Sequence, residues 1–301
     1  MIKARFLSFL SAVVFLVFQV SSTAQISSPA PSKAKLPKQL RKSFSFVPAS
    51  MLQFKEEIKS VNGFYISKFE VTNADYRAFL SDLKKSGKLE LHEKCKVDSN
   101  NWSSEHPNSF FKPMVNQYHS HPAYDNYPVV NITKEAAQEY CSWLTKQLND
   151  EYKEDGFTFL IRLPQQYEWL SAANGNFKNI TYSWGGNRLR NAKGCYLANF
   201  NTYGPESITY NQKKDRFEVV ENLKVKEEGL FFLTAPVDSY SPSQLDIYNL
   251  NGNVAEMVTE NLAFGGSWFS PGYDIRNESN YEFSGVSSKV GFRPVMMAVQ
   301  H

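Results

Sequence analysis

The chain has 301 residues, room for one large domain or two small ones, and its 42% hydrophobic and 21% charged content excludes wholesale disorder. Aromatic residues make up 15%, with 16 Tyr and 23 Phe, which favours an irregular α+β domain over a helical bundle. A formal net charge of +3 gives no electrostatic reason to expect nucleic-acid binding.

Residues 1–24 read as a secretory signal. Lys3 and Arg5 form a positive start, Phe6–Val20 is a mostly apolar run, and Ser22-Thr23-Ala24 is a small-residue cleavage site. The run is short for a bilayer span, so the mature protein is expected to be exported, with no integral membrane span after cleavage. No cysteine lies near the cut, which excludes a bacterial lipid anchor there. Residues 25–43 are expected to form a flexible linker, since Ser27–Ser43 is rich in Pro, Ser, Ala and Lys. The folded domain is expected over 44–301.

Phe44-Ser45-Phe46-Val47 alternates as a strand does, and Phe64–Phe69 is a second strand candidate. A helix follows: Thr72 caps it, Asp75 is its capping-box partner, Tyr76, Phe79, Leu80 and Leu83 make its apolar face, and Gly87 ends it. Residues 88–126 are polar, with His92, His106, His119 and His121. The His119-x-His121 pair invites a metal reading, but no third ligand has recognisable spacing, and a loop-packing role is favoured. Thr133 caps another helix with an apolar stripe of Ala136, Ala137, Tyr140, Cys141 and Leu144. Phe157–Leu163 is a strand candidate, Pro164 opens a helix carrying Tyr167, Glu168 and Trp169, and Gly175 ends it. Residues 203–227 read as a charged, exposed insertion.

Three cysteines are few for an exported protein. Cys141 suits a buried helical position, whereas Cys95 and Cys195 fall in loop-like regions where a bridge between them stays open. No Cys-x-x-Cys occurs, so no zinc or thioredoxin-like motif is suggested.

The densest stretch is Tyr248–Pro294. Asn249, Asn251, Gly252 and Asn253 mark a tight turn, with Glu256 seven residues after Asn249. Such an oxygen-rich turn suits a hard cation like Ca²⁺; equally, an asparagine-rich turn orders itself through local hydrogen bonds. Phe264-Gly265-Gly266-Ser267-Trp268 and Val290-Gly291-Phe292-Arg293-Pro294 follow.

With Glu70-Val71-Thr72-Asn73, Tyr140-Cys141-Ser142-Trp143, Arg162-Leu163-Pro164 and Thr234-Ala235-Pro236-Val237, these motifs resemble the formylglycine-generating-enzyme (sulfatase-modifying factor) family from about Phe44 to Val299. The resemblance implies an α+β formylglycine-generating-enzyme fold, related in architecture to C-type lectin-like folds. His121–Val130 is similar to the Bacteroidetes branch, which includes gliding-motility and type IX secretion lipoproteins.

The family oxidises a substrate cysteine with O₂ and copper held by two thiolates placed shortly after Gly-Gly-Ser. By position Ser270 and Ile275 stand where those thiols belong, and Ser267 matches the active-site serine. A hydroxyl and a hydrocarbon are poor ligands for Cu(I), so copper is not expected. The resemblance also implies structural Ca²⁺ at Asn249, Gly252, Val254 and Glu256, and a second site from Asn199, the Phe200 carbonyl, Glu228 and the Leu230 carbonyl. Glu168, Arg162 and Arg293 read as buried ion-pair partners rather than acid–base catalysts.

The reading is an exported, non-catalytic domain acting as a binding or scaffold component of a bacterial envelope assembly, periplasmic, outer-membrane-associated or secreted. Its partners would be envelope proteins or secretion or motility components, with a glycan or peptide as further possibilities. The alternative is a family oxidoreductase with altered metal chemistry, generating formylglycine or acting on another thiol.

Overall fold

A computed structural model of the chain describes residues 36–107, 111–175, 177, 180–202, 208–219 and 230–301. The expected signal segment and the first part of the linker lie outside the described residues. The rest of that linker is not a solvated tether: Leu36 and Leu40 are buried, and α1 (Leu40–Ser43) leads directly into β1 (Phe44–Val47). Two leucines in a polar stretch supply enough apolar surface to anchor it, since each buried leucine contributes roughly 1.5–3 kcal/mol.

The chain continues through a hairpin, β2 (Ser50–Phe54) and β3 (Glu57–Val61), then β4 (Phe64–Ser67) and α2 (Asn73–Lys85). Three short helices follow, α3 (Leu89–Lys94), α4 (Asn101–Glu105) and α5 (Lys112–Gln117), and then the long α6 (Lys134–Glu151). β5 (Phe157–Arg162) and α7 (Gln166–Asn174) precede a second hairpin, β6 (Ile208–Asn211) and β7 (Arg216–Val219). The last strands are β8 (Ala255–Met257), β9 (Leu262–Phe264), β10 (Asn280–Glu282), β11 (Val290–Gly291) and β12 (Val295–Gln300).

Local chemistry fixes the helices. Thr72 Oγ1 accepts the Asp75 N–H at 3.1 Å while the Asp75 carboxylate accepts the Thr72 N–H at 3.3 Å, a reciprocal cap at the start of α2. Thr133 Oγ1 accepts the Ala136 N–H in the same way for α6. In α7 the Glu168 carboxylate accepts the Gln165 N–H at 2.8 Å and also takes both arms of Arg162, at 2.6 and 2.7 Å. One acid there caps a helix and ties it to β5.

Two four-stranded sheets organise the domain, in the orders β1-β4-β12-β5 and β10-β9-β8-β11. In the first, β12 lies between the early β4 and the central β5, with Met296 opposite Tyr65 and Met297 opposite Leu160. In the second, β11 runs parallel to β8, with Gly291 opposite Glu256. A core cluster containing Tyr76, Phe79, Tyr140, Phe159 and Phe292 joins the first sheet to α2 and α6. A separate cluster gathers Trp102, Phe111, Tyr118 and Trp268. The stretch read as a polar loop therefore carries α3, α4 and α5 around its own aromatic core; helices of five or six residues leave too few turns for a periodic signal.

Cys95 is buried in the main core and Cys195 is exposed, and both are free thiols, so the bridge left open by the sequence is not formed. Cys141 is buried in α6, and burial pushes its thiol up to about 12. Among the described residues, no helix is long and apolar enough to cross a membrane.

Candidate functional site

The turn between Asn249 and Glu256 is built on left-handed backbone. Asn249, Gly252 and Asn253 have φ of 52°, 77° and 60°. Glycine is required at 252, because a Cβ there would meet the Asn199 carbonyl oxygen at 2.3 Å. The three asparagines reach far rather than locally, which corrects the local-hydrogen-bond expectation. Asn251 Nδ2 donates to the Ile275 carbonyl and to Asn277 Oδ1, while its Oδ1 accepts the Ser183 N–H. Asn253 Oδ1 accepts the Ala235 N–H at 2.7 Å, and its Nδ2 donates to Glu70 at 2.8 Å. Asn249 Nδ2 donates to the Val237 carbonyl at 3.0 Å.

Beneath the turn lies a fully buried ionic group. Arg293 Nε lies 3.1 and 3.0 Å from the two Glu256 oxygens, and Nη2 donates to Oε1 at 2.7 Å. Trp169 Nε1 donates to Glu256 Oε2 at 2.8 Å. The remaining Arg293 hydrogens go to the Ser67, Lys68 and Tyr248 carbonyls. Glu70 completes the group, 3.9 Å from Arg293 Nη2. Burial raises the Glu70 carboxyl to about 8; Arg293 opposes the shift and Glu256 adds to it. Glu70 opens the Glu70-Val71-Thr72-Asn73 motif, but nothing in the sequence assigned it to this site.

Of the first calcium set, Asn249 fits a cation: its Oδ1 is buried and accepts no hydrogen bond. A hard ion is the kind of partner such an oxygen lacks. Glu256 would have to share a carboxylate already taking donors from Arg293 and Trp169. In the second set Asn199 already has protein partners: its Oδ1 accepts the Phe231 N–H at 3.1 Å, which leaves one lone pair for an ion, and its Nδ2 donates to the Leu233 carbonyl at 2.6 Å. Phe200 is buried with Leu230 packed against the same cluster, and Glu228 lies outside the described residues.

The Gly265-Gly266-Ser267 turn packs beside this group. Gly266 has φ of 63°, and a Cβ there would meet the Asp274 carbonyl oxygen at 2.5 Å. Ser270 Oγ accepts the Ser267 N–H at 3.0 Å and lies 3.3 Å from Ser267 Oγ. Ile275 is fully buried with Tyr182, Ala198 and Phe200. No imidazole or carboxylate among the described residues bonds either hydroxyl, so neither serine has a base to activate it. The histidines do not gather. His119 contacts Asn73 Oδ1, and burial lowers it to about 4, with Arg77 adding to the shift. His121 Nδ1 instead accepts the Ala123 N–H. Among the described residues no three His, Cys, Asp or Glu side chains form a metal-binding group.

A cleft of about 860 Å³ opens at Pro271–Tyr273, between that segment and the loop from Arg188 to Thr202.

An α+β domain of two small sheets, tied by a buried Glu–Arg–Glu group under an asparagine-lined turn, is the class of protein defined here. Residues 53–298 match the sulfatase-modifying factor enzyme 1-like domain, and the chain belongs to that family. It is similar to the formylglycine-generating enzyme of Mus musculus, 26% identical over 227 residues that cover 67% of this chain and 50% of the mouse protein. It is also similar to inactive C-alpha-formylglycine-generating enzyme 2 of Bos taurus, 26% identical over 215 residues covering 65% of this chain and 60% of that protein. The chain spans about half the length of the mouse and bovine formylglycine-generating enzymes it matches. Among solved structures, CarF superposes with a TM-score of 0.51 at 17% identity, covering 84% of this chain and 97% of that one, which shows the fold alone.

Proposed function

We propose that this chain is a non-catalytic, exported binding domain of the sulfatase-modifying factor family, serving a bacterial envelope assembly of the gliding-motility or type IX secretion kind. The observation that carries the reading is the pair Ser270 and Ile275. Ser270 Oγ is engaged by its own turn, and Ile275 is closed into an apolar cluster. A protonated hydroxyl and a hydrocarbon offer no soft donor for Cu(I), and nothing else on the turn supplies a thiolate. Relatives named as inactive support the same reading. The signal-like segment at 1–24 supports export.

Asn249 would hold a structural Ca²⁺, together with the Gly252 and Val254 carbonyls and a shared Glu256 carboxylate. The ion would neutralise the oxygens of the turn and lock it.

The test is copper titration under competition with a Cu(I) chelator, coupled to mass spectrometry of a cysteine-containing peptide incubated with the protein and oxygen. The expected result is no copper retention and no mass loss to aldehyde. Stoichiometric copper with aldehyde formation would establish the alternative, an oxidoreductase with altered ligands.

A further inference from the structure

We propose that the cleft at Pro271–Tyr273 binds an extended acidic peptide segment of a partner protein. The inference rests on the binding reading above and names the class of ligand. One free guanidinium lines the cleft and a second, outside the lining, lies against the lining residue Tyr273. Arg188 lines the cleft and is exposed; its carbonyl accepts from Trp184 Nε1, and its guanidinium has no hydrogen bond or ion pair among the described residues. Arg276 lies over the Tyr273 ring, 3.5 Å from its centroid, and that ring lines the cleft and is 68% exposed. Nε of Arg276 is held by the Tyr273 carbonyl at 2.9 Å, which fixes the fork while its terminal nitrogens stay available. Arg190 adds a third charge to the lining, already engaged with Tyr196 and the Gly194 carbonyl. Among the described residues no carboxylate belongs to the lining; the exposed Asp274 follows Tyr273 but does not contribute to it.

A guanidinium laid on an aromatic ring keeps its in-plane N–H edge for a bidentate carboxylate, and little rotamer freedom is left to lose. A peptide is favoured by Asn201. Its backbone N–H is fixed to the Ser270 carbonyl at 2.8 Å, and Asn201 pairs with Pro271 as an isolated bridge. Its side-chain amide lines the cleft without a partner among the described residues. That group offers both N–H donors and a carbonyl acceptor, enough to meet the C=O and N–H of one peptide unit.

The test is fluorescence anisotropy on the full chain with a labelled decapeptide of alternating Glu and Ser, against a Lys–Ser decapeptide and polygalacturonate as competitor. The acidic peptide should bind, more weakly as salt rises, and the Lys–Ser peptide should not. Arg188→Glu with Arg276→Glu should weaken binding at least tenfold, whereas Lys55→Glu with Lys59→Glu on the β2–β3 hairpin should change it less than twofold. Asn201→Ala should weaken the peptide but leave any binding of polygalacturonate unchanged. Equal binding of the two peptides by the wild-type protein would overturn the proposal, whether or not a variant folds. So would no binding, tighter binding of the glycan, or indifference to the charge reversal. If the charge-reversed protein still captures the same envelope partner as wild type, the acidic ligand is wrong and the binding reading stands. Copper-dependent turnover defeats the binding reading instead.

Discussion

Arg293 and Glu256 face each other across the small sheet in full burial, joined at 2.7 Å through Nη2 and Oε1. The pair links the strand that ends the Asn249 turn to the segment entering β12. Taking one partner away strands a charge in a medium that cannot solvate it.

Arg293→Met should therefore cost about 3–5 kcal/mol, the range seen when one half of a buried ion pair is removed. Urea unfolding checks this. The double change Arg293→Met with Glu256→Gln should recover part of the loss, because the orphaned charge is gone. A double variant no more stable than the single would contradict the assignment.

Glu70 makes stability depend on pH in the direction opposite to most carboxylates. Its folded pKa, about 8, lies above the unfolded value near 4.3, so the folded state holds the proton more tightly. Stability from this group is complete at acid pH and falls as pH rises from about 4.3 to 8, by at most about 1.4 kcal/mol per pH unit. Glu70→Gln should flatten that decline. Thermal melts from pH 5 to 9, wild type against variant, measure the difference.

Millimolar Ca²⁺ should raise the melting temperature of chelator-treated protein. A free concentration one hundred times Kd corresponds to about 2.7 kcal/mol. Asn249→Ala should abolish the increment, while Asn199→Ala should lower stability without altering it, since Asn199 already spends both ends of its amide within the protein. A calcium response preserved in Asn249→Ala would remove that asparagine from the donor set.

Gly252→Ala should destabilise by at least about 2 kcal/mol. It adds left-handed backbone strain to a methyl group that cannot fit beside the Asn199 carbonyl. Gly87→Ala is the control: φ is 71° there too, but nothing lies within 4 Å of the added carbon, so it should lose only the backbone share.

Capped, amphipathic segments were legible in the sequence because their signals are local. Thr72 with Asp75 and Thr133 with Ala136 need only neighbours three residues away. The helices between Lys88 and Gln117 escaped notice because they are too short for a periodic signal, and the aromatic cluster that holds Trp102 and Phe111 is completed by Trp268, a contact no short window contains. The same holds for the site. Asn249, Gly252 and Glu256 stand out as a pattern, whereas Glu70 joins them across 179 residues, from a motif that reads locally only as the start of a capped helix. Family positions pointed to Asn199 as an ion ligand, and its amide also closes on Phe231 and Leu233, partners no spacing rule supplied. Competition between equivalent donors is settled by packing, not by spacing.

The placement of Val295–Gln300 between β4 and β5 has a consequence for how the chain reaches its native state. Strands around residues 65 and 160 cannot find their neighbour until the polypeptide has been made, or passed through a membrane pore, to about residue 300. Until then β4 keeps one open edge and β5 has no strand partner, so both expose backbone groups that invite mispairing throughout that interval.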